Sequence, residues 1–198
     1  MEGGTSYMKR RGLEKFSNLV EALSSLPTVG KKSALRYAYH MVLEDSFSAL
    51  KLAHAIEDAV LNIKTCQHCG ALSEDEICDV CHDDRRDSDK LCIVQSAKDI
   101  FVIESNASYD GKYFVLDSID TLLIENLEKM ITYNRVKEVI FAFTPSLPND
   151  TTILFVEDKL QKFDLVFTKI AQGVPTGVNL ENVDMLSLSK ALHGRTKI

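Results

Sequence analysis

Four cysteines in two tight pairs carry the densest chemistry of the chain: Cys66-Gln67-His68-Cys69 and, eight residues on, Cys78-Asp79-Val80-Cys81. A Cys-x-x-Cys turn brings two thiolates to one small ion. A second such turn completes the tetrahedron that zinc takes, with Zn–S bonds of about 2.3 Å. Binding expels the thiol protons. One such pair is weak evidence, but two at this spacing are strong. Four thiolates also fill the shell, so the expectation is one structural Zn2+ with no open catalytic position. The competing readings are a redox pair or two disulfides, and persistent disulfides are rare in the expected reducing compartment. His68 and His82 flank the cluster as alternative ligands. Cys92, within Leu91-Cys92-Ile93-Val94, reads instead as a small buried hydrophobe of a strand.

A second chemical feature precedes the cysteines. Leu26-Pro27-Thr28-Val29-Gly30 interrupts a helical pattern, which resumes with Lys31, Lys32 and Ser33. Proline ends the first helix, and Gly30 permits a positive φ in the turn. A helix, a tight turn and a helix opening on lysines make a helix-hairpin-helix candidate. Free backbone N–H groups and the helix dipole at that N-terminus favour a phosphate. Lys32 and Arg36 lie four apart and share a face, so both can address phosphates. An ordinary helix connection with solvated lysines is the alternative.

The elements that position these groups follow from periodicity. Leu13, Phe16, Leu19, Val20 and Leu23 predict a helix over 12–25, and a second helix runs from Lys31 through Met41. A third is expected over Ser46–Thr65. After the cysteines the pattern turns α/β, with short strands expected at Leu91–Val94, Phe101–Ile103 and Phe114–Leu116. A helix over Ile119–Tyr133 leads to the apolar run Glu138–Phe143, read as a strand covered on both faces. A helix over Thr151–Phe163 and a strand over Leu165–Ile170 follow. Helices between buried strands imply a parallel sheet with crossovers. Asp184 is read as the cap of a last helix, Leu186–Leu192, and Gly173–Gly177 as a structural turn rather than a phosphate loop.

Bulk composition narrows the function classes. The chain has 198 residues, 45% hydrophobic and 26% charged, as in a globular protein of one or two domains. No apolar run approaches the ~20 residues of a membrane span. Lys9, Arg10 and Arg11 are followed by no apolar segment of the secretory kind, so cytoplasm is the expected compartment, with Met8 an alternative start. The net charge of −6 speaks against a uniformly basic nucleic-acid binder. The distribution is uneven, however. Residues 1–40 hold seven basic and three acidic side chains, net +4, which leaves −10 for the remainder. A basic end on an acidic body suits one surface for a polyanion and another for different partners.

Taken in order, four segments resemble the bacterial RecR family of recombination mediators: Leu26-Pro27-Thr28-Val29-Gly30-Lys31-Lys32-Ser33-Ala34, the four-cysteine module, Cys92-Ile93-Val94-Gln95-Ser96-Ala97-Lys98-Asp99-Ile100, and Ile170-Ala171-Gln172-Gly173-Val174-Pro175-Thr176-Gly177. The resemblance covers the chain from about Gly12 onward. It implies a multi-part α+β fold: a helix-hairpin-helix domain at 8–62, a four-cysteine zinc finger at 63–88, an α/β Toprim domain with a mainly parallel sheet at 89–175, and a C-terminal segment at 176–198. It implies a homo-oligomer, a dimer or tetramer ring, that clamps single- and double-stranded DNA. RecO, and in many bacteria RecF, are the implied partners in loading RecA onto single strands. The DNA-contact positions of the hairpin fall on Lys32 and Arg36, with Lys31 beside them.

The chain departs from the Toprim pattern at its acidic positions. Toprim enzymes hold Mg2+ with an acidic residue after the first strand and an Asp-x-Asp pair after a later one. Here Gln95 stands at the first position, where the RecR family usually has Glu. Pro148-Asn149-Asp150 replaces the Glu-Gly-Glu usual there. Asp150 remains, with Asp99 and Glu104 near the first motif. The expectation is a DNA clamp or adaptor without catalysis. The alternatives are a Mg2+-dependent Toprim enzyme and a zinc-ribbon protein that contacts only other proteins.

Overall fold

The computed structural model describes residues 12–171 and 173–194. Lys9, Arg10, Arg11, the alternative start at Met8, Gln172 and the last four residues lie outside the described residues. The chain separates into two compact units that divide between Asn62 and Ile63.

The first unit is helical. Helix α1 (Glu14–Ser24) and helix α2 (Lys31–Tyr39) pack through Val20, Ala34 and Ala38, with Phe16, Leu19, Leu23, Val29 and Leu35 around them. Ala34 and Ala38, one turn apart and fully buried, let the two backbones approach closely. A π-helical turn, His40–Glu44, continues α2, and α3 (Ser46–Asn62) follows. The expected helix over Ser46–Thr65 ends at Asn62 because Lys64–Thr65 pair as a strand in the second unit.

Gly30 does not take the left-handed conformation open to it in the hairpin turn: its φ is −77°, and it is the extended N-cap of α2. The left-handed residue is Thr28, at φ 67°. Closing the turn with the Val29 N–H on the Leu26 carbonyl, at 3.1 Å, puts the reversal two residues earlier.

The second unit opens with β1 (Lys64–Thr65) antiparallel to β2 (Leu72–Ser73), then α4 (Asp79–His82). The main sheet is built from β3 (Asp87–Val94), β4 (Gly111–Val115), β5 (Glu138–Phe141) and β6 (Val166–Lys169). Its order is β4-β3-β5-β6 and all its pairs are parallel. Leu91, Cys92, Ile93 and Val94 of β3 are all buried, so the central strand is covered on both faces. The crossovers are α5 (Ala97–Glu104), α6 (Thr121–Asn134) and α7 (Leu147–Leu160). The last helix, α8 (Met185–His193), is capped as expected by Asp184, whose carboxylate accepts from the Ser187 N–H at 2.9 Å.

Phe101–Ile103, expected as a strand, lies inside α5. Ser96 caps that helix and Asp99 sits in its first turn, and these local signals outweigh three apolar residues in a row. Helix α7 begins four residues earlier than expected, because the Ser146 hydroxyl caps it and Pro148 fits its first turn. Among the described residues no helix is long and apolar enough to cross a membrane.

Gly111 starts β4 in a space only glycine fits. A Cβ there would lie 2.3 Å from the Tyr109 hydroxyl and 2.8 Å from the Lys90 carbonyl oxygen. The backbone carbonyl cannot step aside without moving β3. Gly111→Ala is therefore expected to cost about 1–3 kcal/mol in equilibrium denaturation. An unchanged midpoint would contradict this packing.

Candidate metal centre and nucleic-acid interface

The two cysteine knuckles are shaped by backbone hydrogen bonds before any ion is considered. The Cys66 N–H donates to the Ala71 carbonyl at 2.7 Å and the Gly70 N–H to the Cys66 carbonyl at 3.0 Å. Gly70 turns at φ 78°, which a side chain would strain. Three further N–H groups point at sulfur: Cys78 N–H to Cys66 Sγ at 3.3 Å, Cys81 N–H to Cys78 Sγ at 3.4 Å and Ala71 N–H to Cys69 Sγ at 3.5 Å. Such donors favour thiolate over thiol.

All four Sγ atoms of Cys66, Cys69, Cys78 and Cys81 lie within 4.8 Å of one another. A tetrahedron with metal–sulfur bonds of about 2.3 Å has edges of about 3.8 Å, so the quartet fits a four-coordinate ion. Cys69 and Cys78 Sγ stand 3.5 Å apart, far beyond a disulfide bond, and all five cysteines are free. Left to themselves the thiols share protons unevenly. Hydrogen bonds from Cys69, then Cys78 and Cys81, pull Cys66 far down, and the same sharing pushes Cys81 far up. A cation is what allows all four to ionise together. Among the described residues this is the one group of metal-ligating side chains close enough to share an ion. His68 and His82 lie outside it. Cys92 is buried in β3, and burial pushes its thiol up to about 12.

The knuckles are also part of the sheet's core. Cys66, Cys69 and Cys78 pack in one cluster with Leu91, Ile93, Phe114 and Val139. The Val115 N–H, at the end of edge strand β4, donates to the Cys69 carbonyl at 2.7 Å. The module thus covers the edge that β4 would otherwise leave unpaired.

At the carboxyl end of the sheet, β3 and β5 are neighbours whose connections leave for opposite neighbouring strands. That is the switch point where α/β sheets place their chemistry. Gln95 follows β3 there, and Asn149 lies in the first turn of α7. The two amides bond reciprocally: Gln95 Nε2 donates to Asn149 Oδ1 at 2.8 Å and Asn149 Nδ2 to Gln95 Oε1 at 3.0 Å. Asn149 Nδ2 also donates to the Thr144 carbonyl at 2.7 Å. Among the described residues the carboxylates singled out in the sequence form no group of three or more that could share an ion. Asp99 sits in the first turn of α5, and Asp150 faces Lys169 at 4.0 Å. Glu104 is held by the Arg86 guanidinium at 2.6 Å and the Tyr113 hydroxyl at 2.5 Å. The neutral residues are visible in the sequence, but nothing there signals their pairing, since they lie 54 positions apart.

In the helical unit, Lys32 and Arg36 lie on the side of α2 away from the buried Ala34 and Ala38, Lys31 opens the helix, and all three are exposed. None of them forms an ion pair among the described residues. The guanidinium of Arg36 lies 5.6 Å from the Tyr37 ring centre. The Gly30 cap supplies no side chain to the first N–H groups of α2, so those donors stay open.

Comparison with known proteins follows the same division. Residues 16–60 match the family model described as RecR, helix-hairpin-helix, and residues 173–196 the model described as RecR, C-terminal. The chain is 61% identical over 186 residues to a recombination protein RecR of Nitratiruptor sp., covering 94% of this chain and 98% of that one. It is 52% identical over 188 residues to one from Campylobacter jejuni, covering 95% and 99%. A Helicobacter pylori relative is 50% identical over 188 residues, covering 95% and 97%.

The amide pair makes a direct prediction. Asn149→Asp replaces the Nδ2 donor by an oxygen that faces two acceptors, Gln95 Oε1 and the Thr144 carbonyl. The variant is expected to lose about 1–3 kcal/mol by urea denaturation. A change within about 0.5 kcal/mol, as at an ordinary surface site, would show that the pair is not held in solution.

Proposed function

The chain belongs to the RecR family of recombination proteins, and from that premise we propose that it is a DNA-binding clamp or adaptor of recombinational repair. In this reading it engages single- and double-stranded DNA and works with RecO-like, and in some settings RecF-like, proteins to load RecA. It carries out no bond-making of its own.

The reciprocal Gln95–Asn149 pair carries this reading. Phosphoryl-transfer chemistry at a Toprim switch point needs converging carboxylates to hold Mg2+. Two amides that satisfy each other offer weak neutral donors and no base. They do fasten the end of β3 to the start of α7, which suits a rigid surface for binding. Support for DNA binding comes from α2. Its open N-terminus, with Lys31, Lys32 and Arg36 exposed and unpaired with acids among the described residues, can take phosphates without reading bases. Support for a homo-oligomeric ring comes from α3, which buries none of its residues while Phe47, Val60 and Leu61 stand at least 70% exposed. That apolar surface suits a second copy.

The four-cysteine site is read as a structural Zn2+ centre. Four sulfur donors suit zinc, close its shell and leave no position for a substrate. When bound, the ion supplies cross-linking and charge, and the N–H···S bonds described above orient its ligands.

Binding of labelled DNA followed by anisotropy should weaken about tenfold in the Lys32→Ala, Arg36→Ala double variant. The salt slope should become shallower by about 0.7–0.9 for each phosphate that the variant no longer neutralises. Equal binding would remove the hairpin from the interface. Mg2+-dependent DNA cleavage that vanishes in Asp150→Ala would overturn the adaptor reading. The native chain, purified without chelator, should contain one zinc by elemental analysis. Cys66→Ser should lower both the zinc content and the melting temperature, and a zinc-free native chain of full stability would refute the structural centre.

A further inference from the structure

Lys112 of β4 is the one buried charged residue among the described ones, at 5% exposure. Its ammonium donates to three carbonyl oxygens: Val80 at 2.9 Å, Cys81 at 3.2 Å and Asp83 at 2.8 Å. All three of its N–H donors are used, and every acceptor lies at the carboxyl end of the second cysteine knuckle. Among the described residues no carboxylate forms an ion pair with it. The Asp83 carboxylate is close enough to feel its charge, but is itself engaged by the Arg85 guanidinium at 2.9 and 3.0 Å. Burying an ammonium is costly unless negative potential meets it. Three carbonyl dipoles at the end of a four-residue helix meet only part of that demand. The remainder has an obvious source. Cys78 caps this helix and Cys81 lies inside it, so a divalent ion in four thiolates would place a net charge of −2 on the same segment.

We propose that Lys112 is a positioning residue of the metal centre: its ammonium fixes the carbonyl end of the second knuckle against β4 and serves as counter-charge to the metal–tetrathiolate group. The inference rests on the structural-metal reading above. Metal occupancy and the sheet edge then depend on each other. Metal binding orders residues 78–83, and their carbonyls hold the ammonium. The ammonium in turn holds those carbonyls where the two cysteines converge on the ion. Linkage requires the dependence to be equal in both directions. The nearby exposed lysines do not share this role. Lys137, for instance, just before β5, pairs with Asp89 of β3 instead.

The test is Co2+ and Zn2+ affinity of the full chain, read from the thiolate-to-cobalt absorption and from competition with a chromophoric chelator. Lys112→Met keeps the apolar stem and removes the charge. It is expected to weaken metal binding at least tenfold. Lys112→Gln, which keeps amide donors without charge, should weaken it comparably and guards against a Met variant that fails to fold. Lys112→Arg, which keeps the charge, should stay within about threefold of the native chain, and Lys137→Met should match it. Metal affinity within twofold of native in the Met or Gln variant, or an equal loss in Arg and Gln, would overturn the counter-charge role. A native chain that binds neither metal would instead overturn the metal reading itself.

Discussion

Four cysteine sulfurs gathered within 4.8 Å cannot all ionise together without a cation among them. Thiolates at that range repel one another, so each needs a counter-charge. Much of the second unit depends on resolving that conflict. The quartet is not an appendage on a finished sheet, because three of its cysteines lie in the same apolar cluster as the central strand. Edge strand β4 is tied to it at both ends, through Val115 to the first knuckle and Lys112 to the second. A small module of two short strands and one helical turn cannot bury enough apolar surface to hold this shape alone. The sheet supplies part of what it lacks, and an ion in the quartet would supply the rest.

The switch point between β3 and β5 resolves a different conflict. A parallel sheet with connections departing in two directions leaves a crevice, and in many folds that crevice holds the chemistry. Here a closed amide pair fills it. Each amide donates to and accepts from the other, and Asn149 spends its second N–H on a neighbouring carbonyl, so both of its donors are used. The carboxylates singled out in the sequence have local partners or places: Glu104 on Arg86 and Tyr113, Asp99 in the first turn of a helix.

The metal quartet is legible in the sequence because ligand spacing is local: two Cys-x-x-Cys turns state their geometry between Cys66 and Cys81. The alternation of helices with buried strands is legible for the same reason, and it points to the parallel sheet. Local signals also mislead. Gly30 suggests the left-handed turn position, but Thr28 takes it while Gly30 caps a helix. The apolar triplet Phe101–Ile103 suggests a strand, although the Ser96 cap just upstream marks a helix. The long-range pairs cannot be read at all. Gln95 with Asn149, and Lys112 with the 80–83 carbonyls, join residues about 30 to 54 apart in the chain, and no periodicity encodes them.

If the metal centre and the sheet are one cooperative structure, removing the ion must loosen both. Amide hydrogen exchange of the full chain, before and after removal of metal by a strong chelator, tests this most directly. Protection should be lost in the knuckles and, with them, in β4 at residues 112–115, while the hairpin helices of the first unit keep theirs. Retained protection throughout β4 after complete metal removal would contradict it.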